Sequence, residues 1–208
     1  MTPTTDELPV PVGTSPFHVR GLVYRSFLTW LDSVEPGFCQ RAVEELTDPD
    51  LRRWFELSFS KDGWYDVFPL IPLTHVAARL RGIEFAEFCR LRSRLQALED
   101  IQGAYKLFLK VASPAMVALK LPRLAGRYFN FGKDDATRVE PACVRIHRSG
   151  LPRYLADWFV ASSGSFIVTA LECAGAREPS ANVVSITSRG DGDGVEMVDV
   201  VFDIRWKA

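Results

Sequence analysis

Two periodicities divide the chain. Up to about Leu124 apolar residues recur at intervals of three and four; beyond Ala142 they alternate, switch to a 3.6-residue repeat and return to alternation. Residues 142–148 read as a strand. Pro152 opens an apolar helix to about Ala174, with Leu155, Trp158, Phe159, Phe166, Ile167, Ala170 and Leu171 facing inward. Residues 182–206 fold back around Asp191-Gly-Asp-Gly194, because an Asp-Gly pair supplies the positive φ of a tight hairpin. In the final strand Val198, Val200, Phe202, Ile204 and Trp206 line one face, with Asp199, Asp203 and Arg205 on the other. A slip of one residue would drive charge into the core, so this register is strongly specified.

The first two thirds predict helices. One starts at Ser15-Pro16 and runs to about Ser33, its face made by Val19, Leu22, Val23, Phe27, Trp30 and Leu31; Pro36-Gly37 ends it. Short helices follow over 37–46 and 50–59, with Asp48-Pro49 as cap and first-turn proline. Residues 64–69 form an irregular connector, since Pro69 and Pro72 oppose a helix across it. Further helices cover 73–81 (closed by Gly82), 83–95, 97–112 and a segment from Ser113-Pro114 to Pro122. Asp134-Asp135 makes a turn, 136–140 an edge strand before Pro141, and Glu178-Pro179-Ser180 a loop. The fold class is α+β: residues 1–15 a mobile N-terminal arm, then a single domain over 16–208. Its N-terminal helical half (16–132) packs on a C-terminal antiparallel sheet (133–208) crossed by one long helix.

Composition adds material for a core or a cavity: 208 residues, 47% apolar, with 14 Phe and 5 Trp. The net charge of −1, from 25 basic and 26 acidic residues, gives no field to attract nucleic acid. No basic leader with an apolar segment precedes the domain and no apolar run approaches the about 20 residues of a membrane span. The expectation is a cytoplasmic protein without a membrane span. Cys39, Cys89, Cys143 and Cys173 are scattered and the histidines isolated, which supplies no zinc spacing and predicts buried reduced thiols.

Little in the chain points to catalysis. His75 lies among Leu73, Val76, Ala77 and Leu80, where it reads as a helix histidine or a head-group contact in a helical cavity. His147 shares a strand face with Cys143 and Arg145. Trp64, Tyr65 and Asp66 form a polar aromatic group that either plugs a gap or borders a cavity. Arg123, Arg127 and Tyr128 flank Pro122, as a solvated face or an anion clamp. Asp191-Gly-Asp-Gly194 lacks the later ligands of a calcium loop. Ser162, Ser163 and Ser165 sit mid-helix outside any nucleophile-elbow frame and read as small residues for close helix–sheet contact. Glu84, Glu87, Glu99 and Asp100 pair with Arg90, Arg92 and Arg94 rather than forming a catalytic pair. Nothing pairs a nucleophile with a base, and the chain reads as no enzyme.

The order of helices, strand, long helix and hairpin resembles one superfamily. It comprises the heme nitric-oxide/oxygen-binding (H-NOX) domains, the 4-vinyl-reductase-type small-molecule-binding domains and the TRAPP vesicle-tethering subunits. Residues 20–30, Arg-Gly-Leu-Val-Tyr-Arg-Ser-Phe-Leu-Thr-Trp, look like the first H-NOX helix. Leu121-Pro-Arg-Leu124, Tyr128-Phe-Asn-Phe-Gly132 and Val201-Phe-Asp-Ile-Arg-Trp206 are similar to heme-less bacterial relatives, in myxobacterial paralogue families and as input domains of histidine kinases. The resemblance spans about residues 17–206. It departs at the heme: residues 97–124 hold no histidine, Tyr-x-Ser-x-Arg is missing, and Met116 or Tyr105 makes a poor axial ligand. The cysteine-rich metal site of some vinyl-reductase-type relatives is missing too.

The resemblance therefore implies a heme-less, cofactor-free sensory module that signals through a protein partner. A small apolar ligand or acyl chain would sit in a helical cavity lined by residues such as Phe27, Trp30, Phe68, Phe88 and Phe108, bordered by Trp64, Tyr65, His75 and Tyr105. The alternative is a TRAPP-like scaffolding subunit with a solid aromatic core, which dimerises or recruits partners through sheet edges and helix faces. A homodimer fits either reading.

Overall fold

The computed structural model describes residues 7–102 and 112–207. It divides into two compact units: one runs to Phe88 and includes Arg127–Phe131, the other comprises Cys89–Gly126 and the chain from Gly132 onward. The division falls within a helix, between Phe88 and Cys89, and a short later stretch belongs to the first unit.

The first unit is built on a small antiparallel pair, β1 (His18–Arg20) and β2 (Trp64–Asp66), with Val19 opposite Tyr65. Val19 is also bridged to Phe129, the Arg20 N–H donates to the Tyr128 carbonyl and the Asn130 N–H to the His18 carbonyl. This pairing from both sides overrides the helical periodicity read across Val19, so the helix begins at Gly21 and not at Ser15-Pro16. Gly21 is required there: a Cβ would collide with the Ser60 carbonyl oxygen. α1 (Gly21–Val34) is followed by α2 (Phe38–Glu44) and α3 (Pro49–Trp54). Asp48 caps α3 as expected, its carboxylate accepting from the Asp50 N–H at 2.8 Å. The connector after Asp62-Gly63 is partly strand, because β1 offers it a partner. α4 (Leu70–Leu80) starts earlier than expected and takes Pro72 into its first turn, where the missing N–H has no intrahelical acceptor anyway.

Part of the N-terminal segment expected as a mobile arm has defined contacts. The N–H groups of Gly13 and Ser15 donate to Asp66 Oδ2, at 3.0 and 3.4 Å, and Ser15 is buried.

α5 (Phe85–Gln102) is one helix where two were expected, since neither Gly nor Pro interrupts it. In the second unit α6 (Pro114–Lys120) is capped by Ser113 and runs into a 3-10 segment, Leu121–Arg127. The sheet comprises β3 (Lys133–Glu140), β4 (Cys143–Pro152), β5 (Arg177–Gly192) and β6 (Val195–Lys207), all antiparallel, in the order β3-β4-β6-β5. The α+β class stands. Asp134-Asp135 and Glu178-Pro179-Ser180, expected as turn and loop, belong to the edge strands. The second is accommodated by a register shift between Arg177 and Ser180 and a positive φ at Glu178. Asp193 and Gly194, with φ of 51° and 81°, turn β5 into β6 in the manner foreseen.

α7 (Ala156–Cys173) packs against β5 and β6, with Ala156, Phe159, Ala161, Gly164, Ile167, Ala170 and Leu171 among its buried residues. At Gly164 a Cβ would stand 3.4 Å from that of Ala181 on β5, which explains the small residue there. One stretch, Arg153–Cys173, is long and apolar enough by length and composition to cross a membrane, and half of its 18-residue apolar window is buried. Its apolarity belongs to a core helix lying on a sheet.

Candidate functional site

Among the described residues, ring contacts of the first unit fall into several groups. Phe27 and Trp30, one turn apart on α1, have ring centroids 6.1 Å apart, and Trp30 meets Phe88 of α5 edge-on at 5.1 Å. All three are buried. His75 of α4 lies flat against Phe85, with centroids 3.8 Å apart. Phe68 belongs to a different group, 5.8 Å from Phe17, which in turn meets Phe131 at 5.6 Å. Tyr65 joins a third group, edge-on to Phe59 at 5.0 Å, with Phe59 stacked on Tyr24 at 4.3 Å. Trp64 is 40% exposed and carries the Arg20 guanidinium over its ring at 4.0 Å. Among the described residues of the expected lining, ring contacts join Phe27, Trp30 and Phe88; Tyr105 and Phe108 lie outside the described residues.

The polar centre of this unit escaped sequence reasoning. Tyr24 is fully buried; its hydroxyl donates to the Asp66 carbonyl at 2.5 Å and accepts from Trp54 Nε1 at 3.2 Å. Burial pushes the phenol well above its ordinary range. The Asp66 carboxylate also accepts from the Phe68 N–H at 3.0 Å. Burial pushes that carboxyl up while the N–H groups of Phe68, Ser15 and Gly13 pull it down, with a net rise. Tyr24 stands one turn before Phe27 on the apolar face, the only signal that pointed to it. Asp66 was visible as part of the polar aromatic group, but not as a knot for two backbone stretches.

In the second unit several charged residues pair with one another. Arg148 and Asp134 form a buried pair, Nη1 to Oδ2 at 2.6 Å, with the guanidinium over Phe159 at 4.9 Å. Burial raises the Asp134 carboxyl against the pull of Arg148. Arg145 grips Asp203 with two bonds of 2.8 and 3.0 Å, and Asp203 is held below the usual carboxylate range by them. Asp199 accepts from the Gly150 N–H at 3.0 Å and stands 3.3 Å from both Arg189 and His147 Nε2. Arg94 pairs with Glu172 of α7 at 3.2 Å, not with a carboxylate of its own helix. The mid-helix serines do more than save space. Ser165 Oγ donates to the Arg90 carbonyl at 2.8 Å, and Ser93 Oγ to the Ser162 carbonyl at 2.6 Å, which seats α7 on α5.

Two of the four cysteines, Cys89 and Cys143, are buried as expected; Cys39 is half-buried, with burial pushing its thiol up to about 11, and Cys173 is exposed. Among the described residues no group of three or more His, Cys, Asp and Glu could hold a metal ion. His18 Nδ1 is 3.1 Å from Asn130 Nδ2, so each of the three histidines of the chain has a defined neighbour: Asn130, Phe85 or Asp199.

No protein-family model matches the sequence, and no curated protein matches it. Solved structures do. An oxygen-binding H-NOX domain related to soluble guanylate cyclases shares 12% identity over 91% of this chain and 95% of its own, with a TM-score of 0.62. A single-residue variant of the T. tengcongensis H-NOX gives 12% identity, 91% and 98% coverage and a TM-score of 0.65. A Cs H-NOX carrying 4-cyano-L-phenylalanine gives 12%, 91%, 97% and 0.65. At such identity the likeness is one of fold, spread over nearly all of both chains. The chain has an H-NOX-like fold.

Proposed function

We propose that this chain is a heme-less, non-enzymatic sensory module of the cytoplasm. It takes up a small apolar molecule or acyl chain among the aromatic residues of its helical unit and signals through a protein partner. The observation that carries the reading is an H-NOX-like fold whose histidines are engaged elsewhere. His18 neighbours Asn130, His147 faces Asp199, and His75 is stacked on Phe85. Met116 is exposed on α6. These engagements support the heme-less reading. Phe27, Trp30 and Phe88 are the contacts this reading puts first. They form a buried apolar surface on two helices, and a ligand that separates their rings would bias the helical unit between two packings.

Native mass spectrometry of the purified protein, set against its denatured mass, tests this. A non-covalent mass released on denaturation, without a Soret absorbance, is the expected result. A heme-sized adduct would refute the heme-less reading. Ligand-free protein, also after incubation with fatty acids, would instead favour a scaffolding subunit, a reading that the exposed aliphatic edge of β5 supports.

A further inference from the structure

The small sheet of the first unit has two faces, and its pairing fixes which residue lies on which. β1 pairs on one side with β2, Arg20 standing opposite Trp64 and His18 opposite Asp66. On its other side the Arg20 N–H donates to the Tyr128 carbonyl, Val19 is bridged to Phe129 and the His18 carbonyl accepts from the Asn130 N–H. Side chains alternate along each stretch. Phe17, Val19 and Val67 are buried on the inner face, with Phe131 edge-on to Phe17. The outer face therefore carries two rows, Trp64–Arg20–Tyr128 and Asp66–His18–Asn130. The N-terminal segment covers the second: the Gly13 and Ser15 N–H groups donate to Asp66 Oδ2, and Asn130 Nδ2 donates to the Pro16 carbonyl. The first row is left open. Trp64 is exposed, and the Arg20 guanidinium lies over its ring.

Arg20 is held in place without being neutralised. Its Nη1 donates to the Asp62 carbonyl at 2.7 Å, and among the described residues no carboxylate pairs with it. Lys61 and Arg127, beside the row in the chain, and Arg25, one turn into α1, likewise form no ion pair among the described residues. Against these four cations the same stretches present only Glu56 and Asp62 as exposed carboxylates. A guanidinium stacked on an indole is already oriented to fork a carboxylate. Trp, Tyr and Arg are also the residues that carry most of the energy at protein interfaces. We propose that the Trp64–Arg20–Tyr128 row is the docking surface for a protein partner. The partner brings an extended acidic segment, with a carboxylate on Arg20 and an apolar side chain over Trp64. A row crossing three strands measures about 10 Å, which suits a chain laid over it rather than a small anion that needs converging donors. The inference rests on the reading that the chain signals through a partner, supplies that partner's chemistry and requires no bound ligand.

Fluorescence anisotropy of a fluorescein-labelled peptide of alternating leucine and glutamate, titrated with the full chain, tests it. Arg20→Gln and Trp64→Ala are the site variants. Arg52→Gln is the control, an exposed cation of α3 in the same unit with no ion pair among the described residues. The expected result is binding that either site variant weakens at least about tenfold and the control leaves unchanged, with none for the lysine counterpart of the peptide. Should a site variant misfold, Arg20→Lys decides, because lysine keeps the charge but neither stacks flat nor forks; the same loss is expected. No binding, binding indifferent to the site variants, or full displacement by inorganic phosphate overturns the proposal, the last in favour of a small-anion site. Tighter binding to phosphatidylserine vesicles through the same residues overturns it in favour of a lipid surface. None of these outcomes touches the native mass measurement of an apolar ligand, so the two readings fail separately.

Discussion

Replacing Asp134 with alanine probes the packing of the sheet unit most directly. Its carboxylate and the Arg148 guanidinium occupy paired positions on β3 and β4, with side chains only 6% and 1% exposed. Phe159 covers one face of the guanidinium, and at Gly132 a Cβ would stand 2.6 Å from its Nε, so the charge is walled in by ring and backbone. Truncating Asp134 leaves that charge buried without its counter-ion, a loss worth about 3–5 kcal/mol for buried pairs. An exposed pair such as Arg53 with Asp50 is worth at most about 1 kcal/mol. With a urea slope of about 2 kcal/mol/M, the denaturation midpoint followed by circular dichroism should fall by about 2 M. The double variant Asp134→Leu/Arg148→Met should recover most of this, since an apolar pair of similar volume avoids the desolvation cost. A single-variant loss below about 1 kcal/mol, or a double variant no better than the single, would refute the account.

Gly132→Ala should cost at least about 2 kcal/mol in urea denaturation, because the methyl meets Arg148 and the residue sits at φ +69°. Tyr24→Phe removes the hydroxyl between Asp66 and Trp54 and should lower stability by about 1–2 kcal/mol, read from the melting temperature; no change would mean that these bonds are idle. Phe88→Ala should cost about 3–5 kcal/mol and weaken any bound apolar ligand in the native mass spectrum. Acid should destabilise the sheet through Asp203, lowered by the Arg145 bonds, and Asp199, where burial is outweighed by the Gly150 N–H and Arg189. Both hold protons less readily folded than unfolded. The stability they contribute is complete above the unfolded pKa near 3.8 and lost as pH falls through the folded values, so a urea midpoint that stays flat from about pH 5 to about pH 2 would count against it.

The sheet was legible because its strands carry their own instructions: β6 alternates Val198, Val200, Phe202 and Ile204 with Asp199 and Arg205, and Asp193-Gly194 can hardly be anything but a hairpin turn. Strand edges were less so. Asp134 and Pro179 read as breakers until a neighbouring strand offers hydrogen bonds that outweigh local preference. The same holds for Val19, whose helical spacing to Leu22 and Val23 lost to pairing with Tyr65 and Phe129. For the candidate site, the i, i+3 relation of Phe27 and Trp30 was visible, and so was the apolar character of Phe88. Spacing along one helix could not tell that Phe68 and Tyr65 face other partners, because Phe68 meets Phe17 and Tyr65 meets Tyr24, each on a stretch far away in sequence.

The strand order has a consequence for how the molecule is made. β6 lies between β4 and β5, yet it leaves the ribosome after every other strand of its sheet. The β3–β4 hairpin and α7 can form early, but Ile146, Phe159, Ile167 and Leu171 have no completed sheet to close on until β6 is out. At about 5–20 residues per second the nascent chain keeps this apolar surface waiting for several seconds. The sheet then sets in one late event, as the Asp193-Gly194 turn closes and β6 slides between the two strands already waiting for it.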